Sequence, residues 1–288
     1  MPNKPFGGRV MFKTRNIFST LSLVGAVSAF AALGLAPTAS SAATVDVTPS
    51  SMGNWSFDNR DVGGNIGANP TASGSMVTGP GSPPLGTGSA NLATGNGTIG
   101  GDGAQELRNT GYVGLALTSI SALSYSTYAT AWNGQQLPYL VLYTSNGNRL
   151  WFEPAYSPAQ GAVALNTWQT WNTLTGGWYE DNGVGGQGVD KVVSWGTILA
   201  ANLGASIVNQ SGNGLGGVRI SSGFASANDQ FNTNVDNFTL NDTTFNFDPA
   251  ASATPLPSTW LMLLSGFAGL GFFAFRGTKK RSAALAIT

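Results

Sequence analysis

Through the middle of this 288-residue chain the apolar positions come in short clusters, several alternating with polar ones at a period of two. Residues 54–57, 122–128, 139–143, 149–152, 217–220 and 235–240 are rich in aromatic and β-branched side chains and read as strands. Leu123, Tyr125 and Thr127 fall on one face of their strand, and Leu140, Leu142 and Thr144 on one face of the next. Asn146-Gly147 separates residues 139–144 from 149–152, the spacing of a β-hairpin. A single stretch has helical period: Trp195, Ile198, Leu199 and Leu203 share a face, Ser194 is placed to cap it, and Gly204 ends it. Residues 70–84, rich in Gly, Ser and Pro, read as a long surface loop. Many short strands and one short helix predict an all-β fold, an antiparallel β-sandwich over residues 44–249 followed by a linker at 250–254.

Two segments are apolar without alternation. Lys13 and Arg15 precede an uncharged stretch that is apolar over residues 21–36 and ends in the small residues Ser41, Ala42 and Ala43, the form of a secretory signal peptide over residues 1–43. At the other end, Leu256 to Phe275 is a 20-residue uncharged run, about the ~20 residues that cross ~30 Å of hydrocarbon. Arg276, Lys279, Lys280 and Arg281 follow at once and hold that end in the cytoplasm, with Trp260 at the opposite interface. Gly266, Gly269 and Gly271 suit close packing of a membrane helix.

The order Pro255-Leu256-Pro257, apolar helix, basic tail resembles a PEP-CTERM sorting signal over residues 255–288, with Leu256 where the name-giving motif has Glu. The resemblance implies export by a Gram-negative, exopolysaccharide-producing bacterium and a precursor held in the inner membrane. It also implies processing near the Pro motif by an exosortase, and a final place at the cell surface or in the biofilm matrix. A second, shorter resemblance joins residues 217–223 to Asp236-Asn237: they are similar to the closing strands of lectin-like jelly-roll domains, which implies that form of sandwich.

Composition narrows the chemistry. The absence of Cys and His removes thiol nucleophiles, His-based triads and imidazole metal ligands. Between Thr44 and Phe275 lie all 13 acidic residues but only Arg60, Arg108, Arg149, Lys191 and Arg219, a balance of −8 that repels nucleic acid. The three Glu there, Glu106, Glu153 and Glu180, form no recognisable catalytic pair and read as solvated turn carboxylates, so no enzyme activity is expected. Trp151, Trp168, Trp171 and Trp178 cluster with Tyr156 and Tyr179; most are expected in the core, with Trp171 and Trp178, flanking a turn, as the glycan-stacking candidates. Asp58, Asp229 and Asp236 are the candidate oxygen donors for a structural calcium ion, should the first and last strands be neighbours. The expectation is an exported, exosortase-sorted surface or matrix protein whose sandwich binds extracellular polysaccharide or serves a structural role. A polysaccharide hydrolase or lyase using Glu153 or Glu180 is the alternative.

Overall fold

The computed structural model describes residues 42–61, 65–67, 71–94, 103–133, 136–209, 216–223 and 230–250, together with Ser265, Phe267 and Ala268. The sandwich belongs to the compact unit that begins at Ser40. Of the predicted signal peptide only Ala42 and Ala43 are described, Ala43 as the first residue of a strand; its remainder, the Pro255–Pro257 motif, the basic tail and Asp229 lie outside the described residues. Among those residues no helix is long and apolar enough to cross a membrane.

Thirteen strands are described: β1 Ala43–Val47, β2 Trp55–Arg60, β3 Ser73–Thr78, β4 Gly88–Ala93, β5 Ala104–Asn109, β6 Leu123–Ala129, β7 Tyr139–Tyr143, β8 Arg149–Phe152, β9 Gln169–Asn172, β10 Trp178–Glu180, β11 Val218–Gly223, β12 Asn232–Leu240 and β13 Thr243–Phe247. They form two sheets. The first, six-stranded, runs β10-β8-β7-β11-β5-β2 with every neighbour antiparallel. The second, seven-stranded, is organised around β12, which is long enough to carry β4 beside its first half and β13 beside its last on one edge. Its other edge takes β6, which in turn pairs with β9. β3 extends the sheet beyond β4, and β1 closes the far side by pairing with β13 in parallel.

Period two decides what faces inward, and one exception shows how. Val235, Phe238 and Leu240 are all in the core although the first two are three residues apart. A bulge between Asp236 and Thr239, with Asn237 at φ 53°, absorbs the extra residue and restores the inward phase. Asn adopts that left-handed conformation more readily than most non-glycine residues. Across the sandwich, Trp55 meets Phe238, Phe245 and Phe247 edge-on at ring distances of 5.0–5.2 Å. Such edge-to-face pairs each add about 0.5–1.5 kcal/mol beyond the area they bury.

The predicted hairpin is present as β7 and β8, turned at Gly147 with φ 88°. The helix is present as α1, Trp195–Ala201, with the Ser194 hydroxyl accepting from the Thr197 N–H at 3.2 Å. Trp195 and Ile198 are its buried face, but Leu203 lies beyond the helix and is 81% exposed. Asn202 stops the helix, turning its side-chain amide back to the Ile198 carbonyl at 2.9 Å.

Residues 70–84 are not one long loop. They contain β3, whose backbone is bonded to β4 along six register pairs. Its sequence, Ser73-Gly74-Ser75-Met76-Val77-Thr78, has little apolar signal because it is an edge strand with only Met76 buried. Gly74 serves the packing: a Cβ there would collide with the Phe57 ring of the opposite sheet.

Candidate functional site

Trp171 and Trp178, the residues singled out for sugar stacking, are fully buried. Each indole N–H is spent inside the protein, Trp171 on the Thr127 hydroxyl at 2.8 Å and Trp178 on the Thr173 carbonyl at 2.7 Å. Trp171 faces inward from β9, and Trp178 from β10 packs on Phe152 and on Trp195 of α1. No ring face is left for a ligand. They are core residues because the sandwich needs large side chains to fill its interior, Trp178 also the space under the short helix.

Of the calcium candidates, Asp58 and Asp236 stand on different sheets. β1 and β13 are indeed neighbours, but Asp58 stands on β2 in the other sheet, where it accepts from Arg108 Nε at 2.5 Å. Asp236 on β12 is buried and accepts the backbone N–H groups of Leu85 at 2.9 Å and Phe247 at 3.1 Å. Burial pushes its carboxyl up to about 6 against the pull of those donors. Among the described residues no three acidic side chains gather as a metal-binding set.

The three Glu side chains are buried, not solvated, and each has a different answer to burial. Glu106 stands between Arg60, 3.0 Å away, and Arg219, with the Ser221 hydroxyl donating at 2.7 Å. Glu180 is held by the amide groups of Asn202 and Asn148 and by the Val184 N–H at 3.2 Å. Glu153, only 4% exposed, has one oxygen bonded to the Tyr179 hydroxyl at 2.5 Å, while Oε2 has no hydrogen-bond partner. Burial therefore pushes the Glu153 carboxyl up to about 7, only partly opposed by Tyr179.

Next to Glu153, the outward faces of β8 and β10 gather aromatic and charged side chains. On β8 the alternation sends Leu150 and Phe152 into the core and Arg149, Trp151 and Glu153 to the opposite face. On β10, Tyr179 pairs directly across from Trp151, and their rings are parallel within 8° at 6.1 Å. Tyr139 of β7 continues the aromatic row at 5.4 Å from Trp151. The Arg149 guanidinium sits 5.5 Å from the Trp151 ring centre, a cation–π distance. Asp181 fixes it there, accepting from Arg149 Nε at 2.6 Å and from its backbone N–H at 2.9 Å.

Trp151, Tyr179 and Arg149 form one wall of a cleft of about 560 Å³; the other wall is the turn of residues 181–187, with Asn182 and Gln187 exposed. That volume lies within the ~300–1,000 Å³ typical of small-ligand sites. The turn depends on glycine: a side chain on Gly183 would land on the Glu180 carboxylate, and Gly185 sits at φ 78° against the backbone of Trp178 and Tyr179. Two further clefts are described, one of about 340 Å³ beside β1, Trp55 and Tyr112, and an apolar one of about 460 Å³ between β2 and β3. The first holds the half-buried Tyr112 beside the Asp46 carboxylate but has no cation in its lining, and the second has no charged residue.

Trp151 and Tyr179 belong to the aromatic cluster visible in the sequence, but it is they, and not their neighbours Trp171 and Trp178, that line the cleft. The signal was the phase of the alternation: Trp151 shares parity with Arg149 and Glu153, whereas Trp178 shares a strand face with the core.

The buried carboxyls predict a pH dependence. Glu153 and Asp236 both have folded-state values above their unfolded ones of 4.5 and 3.8. The native protein therefore binds more protons than the unfolded chain between about pH 4 and 7. Stability is fully present below that window and falls as pH rises through it. The Glu153 contribution is on the order of 3 kcal/mol. Melting temperature measured from pH 4.5 to 8 should decline, and Glu153→Gln should flatten much of the slope; parallel curves for the two proteins would refute the assignment.

No protein-family model matches the chain, and no curated protein or solved structure gives a match.

Proposed function

We propose that this is an exported, exosortase-sorted protein of the cell surface or biofilm matrix, whose lectin-like sandwich binds extracellular polysaccharide at the Trp151–Tyr179 cleft. The cleft itself carries the binding half of this reading. It offers a half-buried indole face, a fixed guanidinium and exposed amides, the mixture of apolar face and hydrogen-bonding edge that a sugar ring presents. The sorting half rests on Pro255-Leu256-Pro257, the uncharged run to Phe275 and the cations that follow it.

One experiment reads both halves. The full chain, tagged after Thr288, is expressed in a bacterium that has an exosortase, and the exported species is incubated with matrix polysaccharide. The exported form is expected to have lost the tag and to be retained on the glycan. Trp151→Ala should weaken retention at least tenfold, the equivalent of about 1.5–3 kcal/mol for a buried aromatic contact. A retained tag removes the sorting reading, and binding unaffected by the substitution removes the binding one.

A second reading has its own observation. A carboxyl held near 7 beside a tyrosine hydroxyl is suited to proton donation at a glycosidic oxygen. Release of reducing sugar by the exported protein, abolished in Glu153→Gln, would favour a hydrolase.

A further inference from the structure

We propose that the Trp151–Tyr179 cleft takes a glycan that presents hydroxyl or amine donors and rejects one that presents carboxylates. The inference rests on the carbohydrate reading above and names the class of sugar. Arg149 is the cation lining the cleft, and it is already engaged: Asp181 accepts its Nε–H at 2.6 Å, and Trp151 lies 5.5 Å from its guanidinium carbon. Glu180 lines the same wall, its Oε2 accepting from Val184 N at 3.2 Å and from Asn148 Nδ2 at 3.3 Å. Glu153 lies against Tyr179 as a third carboxyl. Lys191, whose stem packs against Gly186, is exposed at the rim, with the equally exposed Asp190 next to it in the chain.

A uronate entering this cleft has two options. It can displace Asp181 from Arg149, leaving Asp181 without its ion pair, or it can stand beside Asp181 and Glu180 with only the solvent-screened Lys191 at the rim, itself next to Asp190, to face it. Both are unfavourable, because like charges within a Debye length repel. The balance of −8 over residues 44–275 works in the same direction at longer range.

A hydroxyl meets the opposite situation. The exposed Asn182 and Gln187 on the cleft wall each carry an amide donor and a carbonyl acceptor, and the carboxylates of Glu180 and Asp181 add acceptors on the same wall. A hydroxyl both donates and accepts, so sugar hydroxyls can answer both kinds of group, whereas a carboxylate can answer only the donors.

The test is a printed array bearing neutral, amino-sugar and uronate glycans, probed with the exported protein and with its Trp151→Ala, Trp151→Phe and Asp181→Asn variants, each first checked for an unchanged melting transition. Neutral and amino-sugar signals are expected to exceed uronate signals by about tenfold or more at low salt, the margin shrinking as salt rises. Asp181→Asn, which frees Arg149, should raise the uronate signal, and Trp151→Phe should keep part of the binding that Trp151→Ala loses. Uronate signals that dominate in the unsubstituted protein would overturn this inference and leave the carbohydrate reading standing. Absence of signal on every glycan class, or signals indifferent to Trp151→Ala, would overturn both.

Discussion

Trp178→Ala is expected to cost the fold about 3–5 kcal/mol, the range for truncating a large buried aromatic, and to do so whether or not any glycan is present. The indole is fully buried, is 4.9 Å from the Trp195 ring and 5.6 Å from the Phe152 ring, and donates to the Thr173 carbonyl. Removing it empties the joint where α1 meets the edge of the six-stranded sheet and strips α1 of its main contact. Trp151→Ala, on the outward face of the neighbouring strand, should leave the urea midpoint close to that of the unsubstituted protein while losing glycan. Urea unfolding followed by circular dichroism separates the two. If Trp178→Ala unfolds at the same urea concentration as the parent, the indole is not part of the core.

That pair of residues also marks how far the sequence could be read. The strands with aromatic and β-branched residues were legible: β2, β6, β7, β8, β11 and β12 fall on predicted segments, and the β7–β8 turn follows from Asn146-Gly147. β3 and β4 were not, because Ser73–Thr78 and Gly88–Ala93 are mostly Gly, Ser, Ala and Asn with few apolar side chains, and they owe their extended form to pairing, β3 with β4 and β4 with the distant β12. For the site, composition located the aromatic cluster, but only register showed which rings face out. The burial of Glu106 and Glu180 was hidden for a related reason. Their partners, Arg219 and Asn202, are 113 and 22 residues away, and nothing local announces them.

Glu106→Gln is expected to be as damaging as any core truncation, on the order of 3–5 kcal/mol, because it breaks a buried ion pair from one side. Glu106 and Arg219 are both fully buried, on the outer face of the six-stranded sheet, and Arg60 approaches the same carboxylate at 3.0 Å. The Gln side chain fills the same space but takes away the carboxylate shared by two guanidiniums, leaving Asp58, 3.7 Å from Arg219 and already paired with Arg108, to answer for it. Arg219 cannot relieve the loss easily: even with burial pulling it down to about 9, it is charged at neutral pH. At about 2–4 °C per kcal/mol for a domain of this size, the melting temperature should fall by roughly 6–20 °C. A loss below about 1 kcal/mol would show that both arginines find solvent in the variant, contrary to their burial.

The parallel pairing of β1 with β13 has a mechanical consequence. Their five register pairs run from Ala43 beside Thr243 to Val47 beside Phe247, so the chain enters the ladder at one end of the sheet and leaves it at the other. Tension between those ends cannot peel the strands apart one bond at a time; it must slide them past each other and load the whole ladder at once. Anything that tethers one side of this domain and drags on the other would meet its resistance there first. Single-molecule pulling between residues 43 and 247 is therefore expected to give one high rupture force. The Ala43 N–H reaches back to the Asp242 carbonyl at 2.7 Å, which by the parallel alternation places the Val45 N–H in the same seam. Val45→Pro, which removes that N–H from the shear-bearing row, should lower the force sharply while changing equilibrium stability much less.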